Sequence, residues 1–151
     1  MTLLKPALAA LAFAMAAPAF AADTITVSDA YARILPGAKA GAIFMVIDNS
    51  ATADDRLTDA TSDAAKRVEL HTHKADASGV MQMLHVPEGF VIPAGGQHQL
   101  ARGGDHVMLM GPTMGFKDGD TLNLTLSFEN AGEVTVLVPV DNAREGAMPS
   151  N

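Results

Sequence analysis

From residue 23 onward, apolar and polar residues alternate in short runs that glycine, proline, asparagine or aspartate interrupts. Such alternation is typical of β-strands with one buried face, and no long run has the spacing of an amphipathic helix. Short strands separated by turn residues indicate an all-β sandwich or barrel. The pattern predicts strands at residues 24–27, 31–34, 40–48, 57–61, 67–73, 80–86, 90–92, 97–101, 106–110, 121–128 and 133–138.

The clearest alternation lies near the end of the chain. The runs at 122–128 and 134–138 flank turn residues at 130–132, which predicts a closing hairpin. Pro139 is expected to end the second strand because it cannot donate a ladder hydrogen bond. We interpret this hairpin as scaffold rather than as part of a functional site.

Residues 1–21 have the parts of a secretory signal peptide, with Lys5 near the start, an apolar run at 7–17 and small residues before a cut near Ala21. The apolar run is shorter than the roughly 20 residues that span a bilayer. We therefore expect an exported protein with one β-sandwich domain at 22–141 and a polar tail at 142–151.

The 151 residues include no cysteine. This excludes disulfides, thiolate ligands, the cysteine of a lipoprotein anchor and blue-copper electron transfer, which needs a cysteine ligand. The formal net charge of −7 argues against a nucleic-acid partner. The sequence contains no phosphate-binding glycine loop and no recognisable Ser–His–carboxylate arrangement. No motif therefore indicates an enzyme.

Histidines and methionines concentrate on one face of three predicted strands. Side chains alternate between the two faces of a strand, so in 106–110 we expect Val107 and Leu109 to enter the core and the other residues to face outward. The same alternation applies to 67–73 and 80–86. The outward set consists of His71, His73, Met81, Met83, His85, His106, Met108 and Met110.

Imidazole and thioether groups together favour one metal. Thioether sulfur is a soft donor that suits Cu(I), whereas zinc sites use cysteine, histidine or carboxylate ligands. Methionine is also a common filler of hydrophobic cores, so a single Met-x-Met pair would carry little weight. The clustering on three strands is what indicates a Cu(I) site.

The arrangement of His71, Met83 and the pair His106 and Met108 resembles the motif of the periplasmic copper chaperones written PCu(A)C. The resemblance extends to residues 68–71, 92–96 and 103–111. It implies a cupredoxin-like Greek-key β-sandwich without catalytic activity, in which those four residues bind Cu(I).

The resemblance also implies a periplasmic location and a partner. The copper would pass towards the binuclear copper centre of cytochrome c oxidase, either to its copper-centre subunit or to a second copper chaperone. We expect a monomer with no nucleic-acid partner and no membrane anchor. Because a delivery protein must release its metal, we also expect the site to lie near the sandwich surface.

Three features depart from the family pattern. Thr72 stands where many members have a second soft donor, methionine. The spacer between Met83 and His106 is one residue longer, which we attribute to an insertion in a loop near Pro87. The tail contains only Met148 as a soft donor, so a second site in the tail is not expected.

We expect the remaining histidines and methionines of these strands, and His98, to have minor roles. We expect His73 to be a solvated rim residue, and His85 and His98 to be surface residues. Met81 and Met110 are expected to support the site or to pack in the core, since each is displaced by roughly 6–7 Å along its strand from a predicted ligand.

Three alternatives stay open. The first is a copper-buffering or resistance protein without a dedicated acceptor. The second is a zinc-dependent hydrolase that uses His71, His73 and a carboxylate such as Glu69. The third is a metal-free interaction sandwich.

Overall fold

The computed structural model describes residues 24–144. The predicted signal peptide at 1–21 and the last part of the predicted tail, including Met148, lie outside these residues. Across 24–144 the chain consists of strands and their connections, and no helix in it is long and apolar enough to cross a membrane.

Ten strands form this part of the chain, and all but the first have bounds within two residues of the predicted ones. They are β1 (Ile25–Arg33), β2 (Ala40–Asn49), β3 (Asp55–Thr61), β4 (Ala65–Ala75), β5 (Met81–His85), β6 (Phe90–Ile92), β7 (Gln97–Leu100), β8 (His106–Pro112), β9 (Thr121–Phe128) and β10 (Gly132–Pro139).

The strands form two sheets with antiparallel pairing. One sheet has the order β1-β2-β8-β4-β5, with β7 also paired to β2, and the other has the order β10-β9-β3-β6. Buried residues of both sheets, such as Leu109 and Leu124, belong to one core. The prediction of an all-β sandwich is confirmed, and β9 and β10 form the predicted closing hairpin that ends at Pro139.

Strand β1 joins two segments that the alternation predicts as separate strands at 24–27 and 31–34, so this prediction is wrong. From Ser28 to Tyr31 the strand advances by one residue more than its partner β2, which is a β-bulge. Asp29 at the bulge has a positive φ of 53°, a conformation that aspartate tolerates better than most residues. The extra residue breaks the alternation without ending the strand.

Strand β5 lies at one edge of the six-stranded sheet and pairs with β4. All five of its residues are exposed, so none of them belongs to the buried core. Its position therefore depends on hydrogen bonds to β4 and on the turn at residues 76–79. Pro87, where we predict an inserted residue, lies in the connection between β5 and β6.

Strands β7 and β8 follow one another along the same edge of β2. β7 pairs with residues 45–48 and β8 with residues 40–43. Only Phe44 of β2 lies between these segments, whereas residues 101–105 lie between β7 and β8. Those extra residues must leave the sheet, and we call them the 101–105 loop.

Candidate metal centre

The four residues of the predicted copper motif lie on the outward face of the six-stranded sheet. His71 of β4 and His106 of β8 are direct cross-strand partners, and their ring centroids are 5.9 Å apart. Met108 follows on β8 opposite Glu69, and Met83 lies on β5 at the other side of β4. The sheet register thus places all four side chains on the same face, in an area that we call the patch. Met83, His106 and Met108 line one groove there, and His71 lies beside His106 outside that lining.

The opposite face of the same strands is core. Val107 and Leu109 are completely buried, and Leu70 of β4 is nearly so. The alternation predicted this division between the faces, and the structure confirms it.

An open groove with a volume of about 290 Å³ lies over the patch. Met83, His106 and Met108 line it together with His73, and small or apolar residues of the β1–β2 region line most of the rest. Met83 is 44 % exposed, whereas His106 is 1 % exposed. The donor groups are therefore not all enclosed, and the β5 side of the patch is open to an approaching molecule.

His106 is held by the 101–105 loop. Its Nδ1 donates a hydrogen bond to the Gly104 carbonyl oxygen at 3.2 Å, and its Nε2 is buried without a partner. Burial lowers the pKa of His106 below the ordinary histidine value; the Gly104 hydrogen bond opposes this effect, and His73 and His71 add to it. The ring is therefore neutral at neutral pH, with its lone pair on Nε2.

His71 presents the other ring nitrogen. Its Nε2 donates to Glu69 Oε2 at 2.8 Å, and its Nδ1 is buried without a partner. Glu69 also forms an ion pair with Arg67. The hydrogen bond from His71 lowers the pKa of Glu69 and outweighs burial, which raises it, so the carboxylate is charged at neutral pH.

Two adjacent imidazoles with unpartnered nitrogens call for an explanation, because buried polar atoms are generally hydrogen-bonded. A bound metal ion would accept both lone pairs. Met83 and Met108 add two thioether groups to the same patch, and a set of two nitrogens and two soft sulfurs suits Cu(I). These residues are therefore a suitable set of ligands for copper.

His73 is half-buried, so the prediction of a solvated rim residue is wrong. Its ring stacks on that of His106 with centroids 5.1 Å apart, and its Nδ1 lies 3.4 Å from the same Gly104 carbonyl oxygen. The prediction failed because the 101–105 loop comes back beside β4, and strand alternation does not show where a loop goes.

The other four minor residues differ in their exposure. His98 is partly buried rather than on the surface, because it stacks on Phe90 and donates to Asp105 at 2.8 Å. His85 is exposed, as predicted. Met81 is 56 % exposed and does not line the groove, so it neither packs in the core nor contacts the groove. Met110 is half-buried on the outward face.

Sequence reasoning missed the contacts that orient the two imidazoles. Glu69 entered only as a ligand of the zinc alternative, although its position two residues before His71 places both side chains on one face of β4. That period-two spacing could have identified Glu69. The Gly104 carbonyl left no comparable signal, because its position depends on the path of the 101–105 loop.

Comparison with known proteins agrees with this architecture. Residues 25–140 match the model of the family described as "Putative lipoprotein LpqE-like". A protein of Leifsonia xyli subsp. xyli described as "Putative lipoprotein Lxx21020" is 34 % identical over 123 residues, which cover 82 % of this chain and 73 % of that protein.

Solved structures with the same fold include domains that contain copper. The copper-bound PCuAC domain from PmoF2 has a TM-score of 0.64 and 27 % identity, covering 78 % of this chain and 92 % of that domain. The solution structure of CuI-DR1885 from Deinococcus radiodurans has a TM-score of 0.61 and 31 % identity, covering 89 % of this chain and 85 % of that protein.

These similarities show the structural class of this chain, which is a cupredoxin-like β-sandwich of the PCuAC type, as the sequence motif indicates. The chain belongs to the LpqE-like family. The resemblance to the PCu(A)C copper chaperones is thereby confirmed.

Proposed function

We propose that this protein binds one Cu(I) ion as cargo through His71, Met83, His106 and Met108. The observation that carries the proposal is the pair of buried, unpartnered nitrogens, His71 Nδ1 and His106 Nε2, on the face that also bears the two methionines. Thioether groups bind Cu(I) better than they bind zinc. The copper-bound states of the PmoF2 domain and of DR1885 support the same choice of metal.

We infer further that the protein is a metallochaperone rather than an enzyme. After export by the signal peptide at 1–21, the monomeric domain at 22–141 would carry Cu(I) in the periplasm. It would pass the ion towards the binuclear copper centre of cytochrome c oxidase, to its copper-centre subunit or a second copper chaperone. The exposure of Met83 supports a transfer role, because a partner's ligand could approach from the β5 side.

The binding proposal is tested by titrating the exported protein with Cu(I) against a competing chelator. We expect one tightly bound Cu(I), and much weaker binding in the variants His106→Ala and Met108→Leu. Met108→Leu is the more informative change because it removes the sulfur and nearly conserves the volume. The matched control is Met114→Leu, at an exposed position away from the groove. Absence of stoichiometric Cu(I) binding by the wild type would contradict the proposal.

The chaperone role requires a separate measurement. Cu(I)-loaded protein is mixed with the isolated copper domain of the oxidase, and the copper content of each is measured after separation. Transfer faster than spontaneous release supports delivery. Retention of copper by this protein would favour the copper-buffering alternative.

The structure gives the zinc alternative little support. Glu69, its carboxylate, is engaged by His71 and Arg67. Among residues 24–144, no group of three histidine or carboxylate side chains could hold a metal ion. A competition titration that shows preference for Zn(II) over Cu(I) would reverse this conclusion.

A further inference from the structure

The two histidines of the proposed site differ in which ring nitrogen is free. A neutral imidazole has one N–H group and one lone pair, and the hydrogen bond made by one nitrogen determines which nitrogen keeps the lone pair. The backbone carbonyl of Gly104 binds the N–H at Nδ1 of His106. The carboxylate of Glu69 binds the N–H at Nε2 of His71. The lone pairs are therefore on Nε2 of His106 and on Nδ1 of His71.

Glu69 is itself held in place. Its backbone pairs with that of Met108, its carboxylate contacts Arg67, and its side chain is 12 % exposed. The side chain of Arg67 is 69 % exposed, so the guanidinium group remains solvated, whereas the carboxylate of Glu69 is largely enclosed. A charged acceptor makes a hydrogen bond about twice as strong as a neutral one. Glu69 can thus hold the His71 ring in one orientation and one tautomer.

We propose that Glu69 is a positioning residue, which makes Nδ1 the metal-binding atom of His71. Histidines that bind metals commonly donate their second nitrogen to a carboxylate or a carbonyl, which fixes the ring and increases its basicity. Here the two rings use one acceptor of each kind. The effect on copper rests on the proposed function, whereas the tautomer of His71 is a property of the metal-free protein.

The first experiment measures that tautomer without copper. Two-dimensional ¹⁵N NMR of the histidine rings distinguishes protonation at Nε2 from protonation at Nδ1. We expect wild-type His71 to be protonated at Nε2. Glu69→Gln should keep this tautomer because the amide oxygen can accept the same hydrogen bond, and Glu69→Ala should give a mixture. Protonation of wild-type His71 at Nδ1 would overturn the proposal.

The second experiment measures Cu(I) affinity by chelator competition in the same proteins. Loss of such a supporting contact typically costs about 10–100-fold in metal affinity, and we expect a loss in this range for Glu69→Ala. Glu69→Gln should fall between Glu69→Ala and the wild type, and this partial rescue separates positioning from general structural damage. The matched control is Glu133→Gln, at an exposed position on β10, which should bind like the wild type.

Glu69→Ala also leaves Arg67 without its ion pair, and an uncompensated cation near the site could weaken Cu(I) binding by itself. The double variant Arg67→Gln/Glu69→Ala removes that cation. The same loss in the double and single variants supports positioning of His71, whereas recovery of wild-type affinity in the double variant overturns it. If the wild type binds no Cu(I), the proposed function fails, and the NMR result still decides whether Glu69 selects the tautomer.

Discussion

Replacing Met83 by leucine separates copper binding from folding more cleanly than any other change in the patch. Met83 lies on the edge strand β5, where all five residues are exposed, and its own side chain is 44 % exposed. Substitutions at such positions usually change the free energy of unfolding by less than about 0.5 kcal/mol. The metal-free variant should therefore be as stable as the metal-free wild type.

The effect on the copper-bound protein should be much larger. Changes to residues that merely support a metal ligand cost about 10–100-fold in affinity, so loss of a ligand itself should cost at least about 100-fold. With free Cu(I) buffered at a thousand times the wild-type Kd, binding adds about 4 kcal/mol to the free energy of unfolding. A hundredfold weaker site at the same free Cu(I) adds only about 1.4 kcal/mol.

Urea denaturation with and without buffered Cu(I) measures both quantities in one assay. The control is Met81→Leu, two residues earlier on the same face of β5 and also exposed. It should retain the full copper-dependent stabilisation. If Met83→Leu keeps that stabilisation too, β5 supplies no ligand, and the assignment of Met83 to the site is wrong.

Three further predictions concern the scaffold and the pH response. Gly89→Ala should lower the free energy of unfolding by more than about 3 kcal/mol, because φ is +74° there and a Cβ would overlap the carbonyl oxygen of Leu57. A urea midpoint like that of the wild type would contradict this. Leu109→Ala should lower the free energy of unfolding by about 2–5 kcal/mol, because it leaves a cavity in the core. Urea denaturation measures this loss, and a smaller loss would contradict the prediction. Burial lowers the pKa of His106 in the folded protein. Below about pH 6.5 the unfolded chain therefore binds more protons than the folded protein. Acidification should then reduce the free energy of unfolding until the pH falls below the lowered pKa. His106→Asn should show a shallower slope there. Protonation also competes with copper, so a Cu(I) affinity that stays flat between pH 7.5 and pH 5 would argue against histidine ligation.

The sequence predicts most of the fold because strand alternation is a local property. It separates Val107 and Leu109 from His106 and Met108 correctly, since the division depends only on a period of two. It fails between residues 24 and 34, where the bulge at Asp29 inserts a residue without ending β1. No periodic pattern can distinguish such a bulge from the end of a strand.

The candidate site was predictable in its membership but not in its geometry. Spacing along the chain identifies four residues that the structure brings to one face, and their role as copper ligands stays a prediction. The stacking of His73 on His106 and the hydrogen bond from His71 to Glu69 were not foreseen. The first depends on the path of a loop, and the second on the orientation of a ring, and neither is encoded by the spacing of residues.

The length of the 101–105 loop between β7 and β8 affects the chemistry of the site, because this loop supplies the hydrogen-bond acceptor of His106. The acceptor that orients His106 is a peptide carbonyl, so its position depends on the path of the loop. That path includes Gly103 at φ +81° and the hydrogen bond between Asp105 and His98, and it depends as well on how many residues the loop contains. A shortened loop would withdraw that carbonyl and release the other nitrogen of His106, although every ligand residue would be unchanged. In a relative whose loop is too short to bring a carbonyl to this ring, nothing at this position would fix which nitrogen keeps the lone pair, and an alignment of the ligand residues would not show the difference.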